Sequence, residues 1–178
     1  MFKHLLVPLD GSELAECVLP HTIAVAQAFA ARVTLLRVLA APSHDIPVDI
    51  FDWQLHKTAA NAYLDHVAAR LQAASVAAET ALVEGEPAST VVQYVAQQQA
   101  DLVILSSHGG SGLADWCLGS VAQKILHRSH VSTLLIRPFQ PFQAEQTDLR
   151  YQRLLVPLDG SRRAECVLPF ATALAQHY

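Results

Sequence analysis

"DLVILSSHGGSGLADWCLGSVAQKILHRSHVSTLLIRP", residues 101–138, runs from an apolar stretch through a glycine-rich loop and a helix-patterned stretch to a second apolar stretch. The first apolar run, 101–107, and the last, 132–138, are too evenly apolar to alternate between core and solvent. They read as strands covered on both faces. Two such strands joined through a helix over 120–129 lie parallel, because the crossover returns the chain to the edge it left. One βαβ unit therefore sets the fold class.

Working outward, three more strand-like runs precede this unit: "HLLVPL" (4–9), "RVTLLRVL" (32–39) and "AETALVEG" (78–85). Helix patterns over 13–29, 52–74 and 87–99 separate them. The chain thus reads as α/β, an open five-stranded parallel sheet in the order 3-2-1-4-5 with helices on both faces. The third run is mixed in polarity, which suggests a sheet edge. In the first helix Leu14, Val18, Val25 and Phe29 recur on one face, with Ser12 as N-cap and Glu13 and Glu16 where the dipole favours acids. Pro20 predicts a kink inside that helix, whereas Pro87 fits the first turn of its own. Residues 40–51 read as a long loop.

The 178 residues are 52% hydrophobic with a mean hydropathy of +0.26, enough apolar material for one well-filled core. A formal net charge of −4, with few and dispersed Lys and Arg, excludes the basic footprint of a nucleic-acid binder. No basic-apolar leader opens the sequence and no apolar run approaches a bilayer span, so the expectation is a cytoplasmic protein with no membrane association. Cys17, Cys117 and Cys166 are scattered, with no zinc spacing, and read as reduced structural thiols.

The stretch "LLVPLDGSELAECVLP" at 5–20 returns as "LLVPLDGSRRAECVLP" at 154–169, differing only where Glu13-Leu14 becomes Arg162-Arg163. The expected organisation is a complete domain over 1–140, a polar linker over 141–152, and the first strand and helix of a truncated second domain over 153–178.

In an open parallel sheet, ligands sit beyond the carboxyl ends of the strands where the winding direction reverses. Strands one and four, ending at Asp10 and Ser107, would flank that crevice. The loop after strand four reads Ser106-x-x-Gly109, nine residues, then Gly119-Ser120. Glycines admit a close approach of backbone to ligand, and a helix starting near Ser120 aims unpaired N–H groups at what lies before it. A phosphate is the natural occupant, and a plain turn is the alternative. The loop is not a Walker A motif, since it has no Gly-Lys-Ser/Thr.

Taken together, "LLVPLDGS", "VTLLRV", "VEGEPASTVVQYV" and the 101–138 stretch resemble the bacterial UspA-like universal stress proteins over residues 1–138. The nucleotide-binding branch of that family has the pattern G-x2-G-x9-G-(S/T), which Gly109, Gly119 and Ser120 keep and Ser106 departs from. The resemblance implies a Rossmann-like, adenine nucleotide alpha hydrolase-like fold. It implies that Asp10 and Val38 border an adenine and ribose, that Pro8 and Leu105 line the pocket, and that Gly109, Gly119, Ser120 and Val121 contact ribose and phosphates. It also implies ATP, with ADP or AMP as competitors, Mg²⁺ held through the phosphates, and a homodimer pairing through strand five.

The 109–119 loop contains Asp115 and no Lys or Arg, so a triphosphate would depend on backbone N–H groups, Ser111, Ser120, Mg²⁺ and Lys124. His108 reads as a surface loop residue, His127 and His130 as partners of a helix C-terminus, and Trp116 with Cys117 as a packing cluster. Tyr63 and Trp53 read as ordinary residues of an amphipathic helix. Three functions are open: a nucleotide-binding stress regulator, a slow ATP hydrolase, and a nucleotide-free dimerisation module. Missing transition-state cations set the second behind the first.

Overall fold

The computed structural model describes residues 1–40, 50–109, 118–138 and 149–178. Five strands, β1 (His4–Pro8), β2 (Arg32–Leu39), β3 (Ala78–Glu84), β4 (Leu102–Ser106) and β5 (Ser132–Ile136), form one sheet in the order β3-β2-β1-β4-β5. Every neighbouring pair is parallel, with Leu6 opposite Thr34 on one side and Val103 on the other. The mixed third run is indeed an edge: among the described residues it pairs only with β2, and its residues are exposed or half-buried.

Alternation along the strands divides the core in two. Leu5 and Val7 of β1 join Val33, Leu35, Leu102 and Ile104 against α1 (Leu19–Phe29) and α2 (Ile50–Ala73). Leu6, Leu36, Val103 and Leu105 point the other way, against α3 (Pro87–Gln98) and α4 (Ser120–Arg128). Leu5, Leu6 and Val7 are fully buried, and each such side chain stabilises the fold by about 1.5–3 kcal/mol. Among the described residues no helix is long and apolar enough to cross a membrane.

The expected helix over 13–29 is shorter and begins differently. A 3₁₀ turn spans Ala15–Val18, and α1 starts only at Leu19, which puts Pro20 in its first turn. The proline therefore marks a start instead of a kink: its missing N–H costs nothing there, whereas a continuous helix would drive its ring into the Glu16 carbonyl. Ser12 caps the 3₁₀ turn, accepting the Ala15 N–H at 3.2 Å, while α1 itself has no side-chain cap. The Glu16 carboxylate bonds Arg70 of α2 and braces this turn against the helix beneath it.

The repeated segment behaves unlike its first copy. Residues 154–158, expected to form a strand, form none; α5 (Arg162–Glu165) and α6 (Leu168–His177) follow. The slot that "LLVP" fits, between β2 and β4, is already held by β1, and an isolated strand has nowhere to place its backbone hydrogen bonds. The tail lies on α1 instead. Phe170 stacks on Phe2 with ring centroids 4.5 Å apart, Tyr151 Oη lies 2.8 Å from His21 Nδ1, and Tyr178 Oη donates to the Ala24 carbonyl at 3.1 Å. The predicted long loop falls mostly within 41–49, and much of the predicted linker within 139–148; both lie outside the described residues.

Burial holds the His21 imidazole below its usual value. The folded state thus favours the neutral ring, so its contribution is intact above about pH 6.5 and is lost as acid protonates the unfolded or undocked form first. An NMR titration should find the apparent pKa of His21 below about 6.5, moving back toward it in Tyr151→Ala. An unchanged value in that variant would show that the tail does not help bury the ring.

Candidate functional site

The winding direction of the sheet reverses between β1 and β4, and a cleft of about 240 Å³ opens there at the carboxyl ends of the strands. Its walls are built from the two strands and the helices that follow them. Pro8 ends β1 and Asp10 follows in the turn; Val38 contributes from β2; Leu105 and Ser106 end β4. Gly109, Gly119, Ser120 and Val121 close the remaining side, the last two opening α4. All nine residues singled out in the sequence therefore border one cavity, although they come from segments over a hundred positions apart.

Hydrogen bonds fix this geometry. Asp10 Oδ1 accepts the Ser12 N–H at 2.9 Å and the Ser12 hydroxyl at 2.6 Å, holding the Asp-Gly-Ser turn. The Ser106 hydroxyl accepts the Cys17 thiol at 3.4 Å and the His108 N–H at 3.3 Å, so it ties the β1 side of the cleft to the β4 side. Burial pushes the Cys17 thiol above its ordinary range, as suits a structural thiol and not a nucleophile. Gly119 N–H donates to the Ser107 carbonyl at 2.9 Å, and the first bond of α4 follows from Gln123 to Gly119. The N–H groups of the first turn before Gln123 have no helical acceptor and face the cleft end of α4.

Both glycines stand where a side chain would be crowded, Gly109 the more severely. A Cβ on Gly109 would collide with the Asp10 carboxylate, and one on Gly119 would come within 3.2 Å of the Ser107 carbonyl oxygen. Both glycines border the cleft and place no side chain on its rim. Among the described residues, the cleft walls hold Asp10 and His108 but no Lys or Arg. Lys124 does not line the cleft. It pairs with Glu86 at 3.5 Å, and the Ser89 hydroxyl and N–H hold that capping carboxylate down to about 2. Among the described residues no three His, Cys, Asp or Glu side chains gather to hold a metal ion.

The family model for the universal stress proteins matches residues 1–137. The chain belongs to the universal stress protein family. Universal stress protein MJ0531 of Methanocaldococcus jannaschii is 28% identical over 142 residues, covering 77% of this chain and 83% of that protein. The solved structure of MJ0577, from the same organism, superposes with a TM-score of 0.68 at 26% identity, covering 78% of this chain and 98% of that one. A universal stress protein crystallised in complex with cAMP has the same fold, with a TM-score of 0.60 at 22% identity over 76% of this chain and 97% of its own.

Several wall residues of this stress protein were not assigned to the cleft from sequence. Pro87 and Val91 of α3, with Ala122 and Ile125 of α4, form the floor; their spacing of three and four marks helix faces, which the sequence shows, but not which strand end they meet. His108 is not the surface residue expected. It is 7% exposed, its Nδ1 lies 2.8 Å from the Ser107 hydroxyl, and its Nε2 is buried without a partner. The reason lies in β4: Ser107 N–H still bonds the Ile136 carbonyl of β5 at 2.7 Å, so the strand pairing carries the chain inward past its last formal residue. Ser111, Asp115, Trp116 and Cys117 lie outside the described residues. His127 and Arg128 occupy the last turn of α4, as a helix C-terminus favours.

Because Oδ1 of Asp10 is already held by Ser12, a methyl at Gly109 forces the carboxylate to abandon those bonds. Gly109→Ala should destabilise the fold by about 1.5–3 kcal/mol in urea unfolding, in line with the loss of a hydrogen bond to a charged group, and Gly119→Ala by less. Equal effects would mean that the contact with Asp10 carries no cost.

Proposed function

We propose that this stress protein binds an adenine nucleotide in the β1/β4 cleft and acts as a stress-response regulator through the bound state, not through turnover. The observation that carries this reading is the spacing Gly109-x9-Gly119-Ser120 laid along one rim of a cleft whose other walls are Pro8, Val38 and Leu105. The apolar walls suit a purine and the back of a ribose, and Asp10 suits a hydroxyl or amino proton. The two side-chain-free positions suit a phosphate brought against the backbone at the start of α4. The fold relative crystallised with cAMP shows an adenine nucleotide on this architecture.

The residues fit a nucleotide best at its uncharged end. With no cation in the walls and Lys124 engaged by Glu86, each further phosphate must be met by backbone N–H groups, Ser120 and a metal ion carried on the phosphates. We therefore assign ATP with Mg²⁺ as one occupant, and ADP or AMP as close competitors. Transition-state charge in phosphoryl transfer requires cations that these walls do not supply, which favours binding over hydrolysis. A homodimer through β5 belongs to the same reading: among the described residues that strand pairs only with β4, and Leu135, next to its last residue, is 38% exposed.

Chromatography of the small molecules released from denatured protein, with calorimetric titration of ATP, ADP and AMP in Mg²⁺, tests the assignment. Adenine nucleotide should bind the natural chain, with affinity falling at least about tenfold in Gly119→Val, the equivalent of about 1.4 kcal/mol. No binding by either protein would leave the nucleotide-free dimerisation module as the reading.

A further inference from the structure

The two copies of the repeat are nearly the same sequence in opposite environments. Leu5, Leu6 and Val7 of the first are fully buried at the centre of the sheet, whereas Leu155, the counterpart of Leu6, is 94% exposed and Leu158, the counterpart of Leu9, is 49% exposed. Downstream the second copy already has the local form of the first. Ser161 N–H donates to Asp159 Oδ1 at 2.8 Å and Ala164 N–H to Ser161 Oγ at 3.1 Å, matching 2.9 Å and 3.2 Å for Ser12 with Asp10 and Ala15 with Ser12. Gly160 has a φ of 79°, Gly11 a φ of 84°, and each proline sits in the first turn of its helix.

We propose that residues 154–178 can replace 5–29 within the same chain, entering the slot between β2 and β4 and supplying Pro157 and Asp159 to the cleft in place of Pro8 and Asp10. The contacts that position the first copy are kept: Glu165 stands where Glu16 meets Arg70, and Cys166 where Cys17 meets Ser106. Reach is not limiting. Residues 137–153 can extend to about 56 Å, more than the length of a five-residue strand plus the width of two strand spacings. The substitutions explain which copy holds the slot: buried His4 becomes Arg153 and buried Ile23 becomes Thr172, both unfavourable in the same surroundings. Arg153 would stand near Asp101, whose carboxylate accepts the N–H groups of Lys3 and His4.

The exchange also changes the charge of the site. It brings Arg162 and Arg163 to the turn now occupied by Glu13 and Leu14, beside cleft-lining Ala15, and so adds cations to a cleft with none in its walls. A polyphosphate would then favour the second copy. That consequence rests on the nucleotide reading, whereas the exchange itself rests on the fold and is tested without ligand.

Thermal unfolding by circular dichroism of the full chain, natural and with Leu6→Asp, Leu155→Asp or both, decides it. Leu155→Asp alone should leave Tm unchanged. Leu6→Asp should keep a cooperative transition at lower Tm, and the double variant should lose it. The proposal is overturned if Leu6→Asp by itself leaves no folded protein, or if adding Leu155→Asp changes nothing in that background. As a trap without a destabilising charge, Thr34→Cys with Leu155→Cys, with the natural cysteines changed to Ser, should form a disulfide within one chain. In the observed arrangement β1 and β3 pair with β2 on its two sides and Leu6 stands opposite Thr34, so the cross-link requires the exchange, and its absence after equilibration also overturns the proposal.

Discussion

Everything else in this protein depends on the two-sided pairing of β1. Its N–H and C=O groups bond β2 on one side and β4 on the other, and its side chains reach both halves of the core. Because β4 lies beside β1 and not beyond β3, the chain must reverse its winding at that seam. The helices after β1 and β4 then leave in opposite directions and cannot cover the gap between the strand ends. The cleft is a consequence of strand order, and residues placed just past Pro8 and Ser106 border it whatever their chemistry.

What distinguishes this cleft is how little side chain it contains at the rim formed by Gly109 and Gly119. Gly109 lies against Asp10 and Gly119 against the Ser107 carbonyl, so packing alone already disfavours a side chain at both positions. Asp10 likewise serves the fold through Ser12 while facing the cleft. A glycine that packing requires and one that a ligand would require are indistinguishable by type alone.

Much of this was legible in the sequence because the relevant physics is local. Near-continuous apolar runs gave β1, β2, β4 and β5 to within a residue or two, and the mixed run 78–85 gave the edge. The start of α1 was misread because Pro20 permits either a kink or a first turn, and only the carbonyl of Glu16 and the cap at Ser12 decide between them. His108 was misread because its burial follows from the Ser107–Ile136 bond, a contact between distant segments that no local pattern encodes. The fate of Lys124 was hidden for the same reason, since its partner Glu86 sits at the cap of another helix.

The second copy isolates what local sequence cannot do. "LLVPLDGS" carries the same apolar pattern, turn and cap at 154–161 as at 5–12, and where structure is local the two agree: the Asp-Gly-Ser turn and the helix start form in both. Where structure requires a neighbour they diverge completely, because a central strand satisfies its backbone only by pairing and the single central slot is filled. Strand propensity is thus a statement about fitting a half-built sheet, and the copy that holds the slot is decided by residues outside the identical core. Buried His4, bonded to Thr34 at 2.8 Å and close to the Gln98 carbonyl at 3.1 Å, is one of them. An arginine in the same place would bring a full charge where the first copy buries an imidazole, and with Thr172 for buried Ile23 it is a difference outside "LLVPLDGS" that favours the first copy.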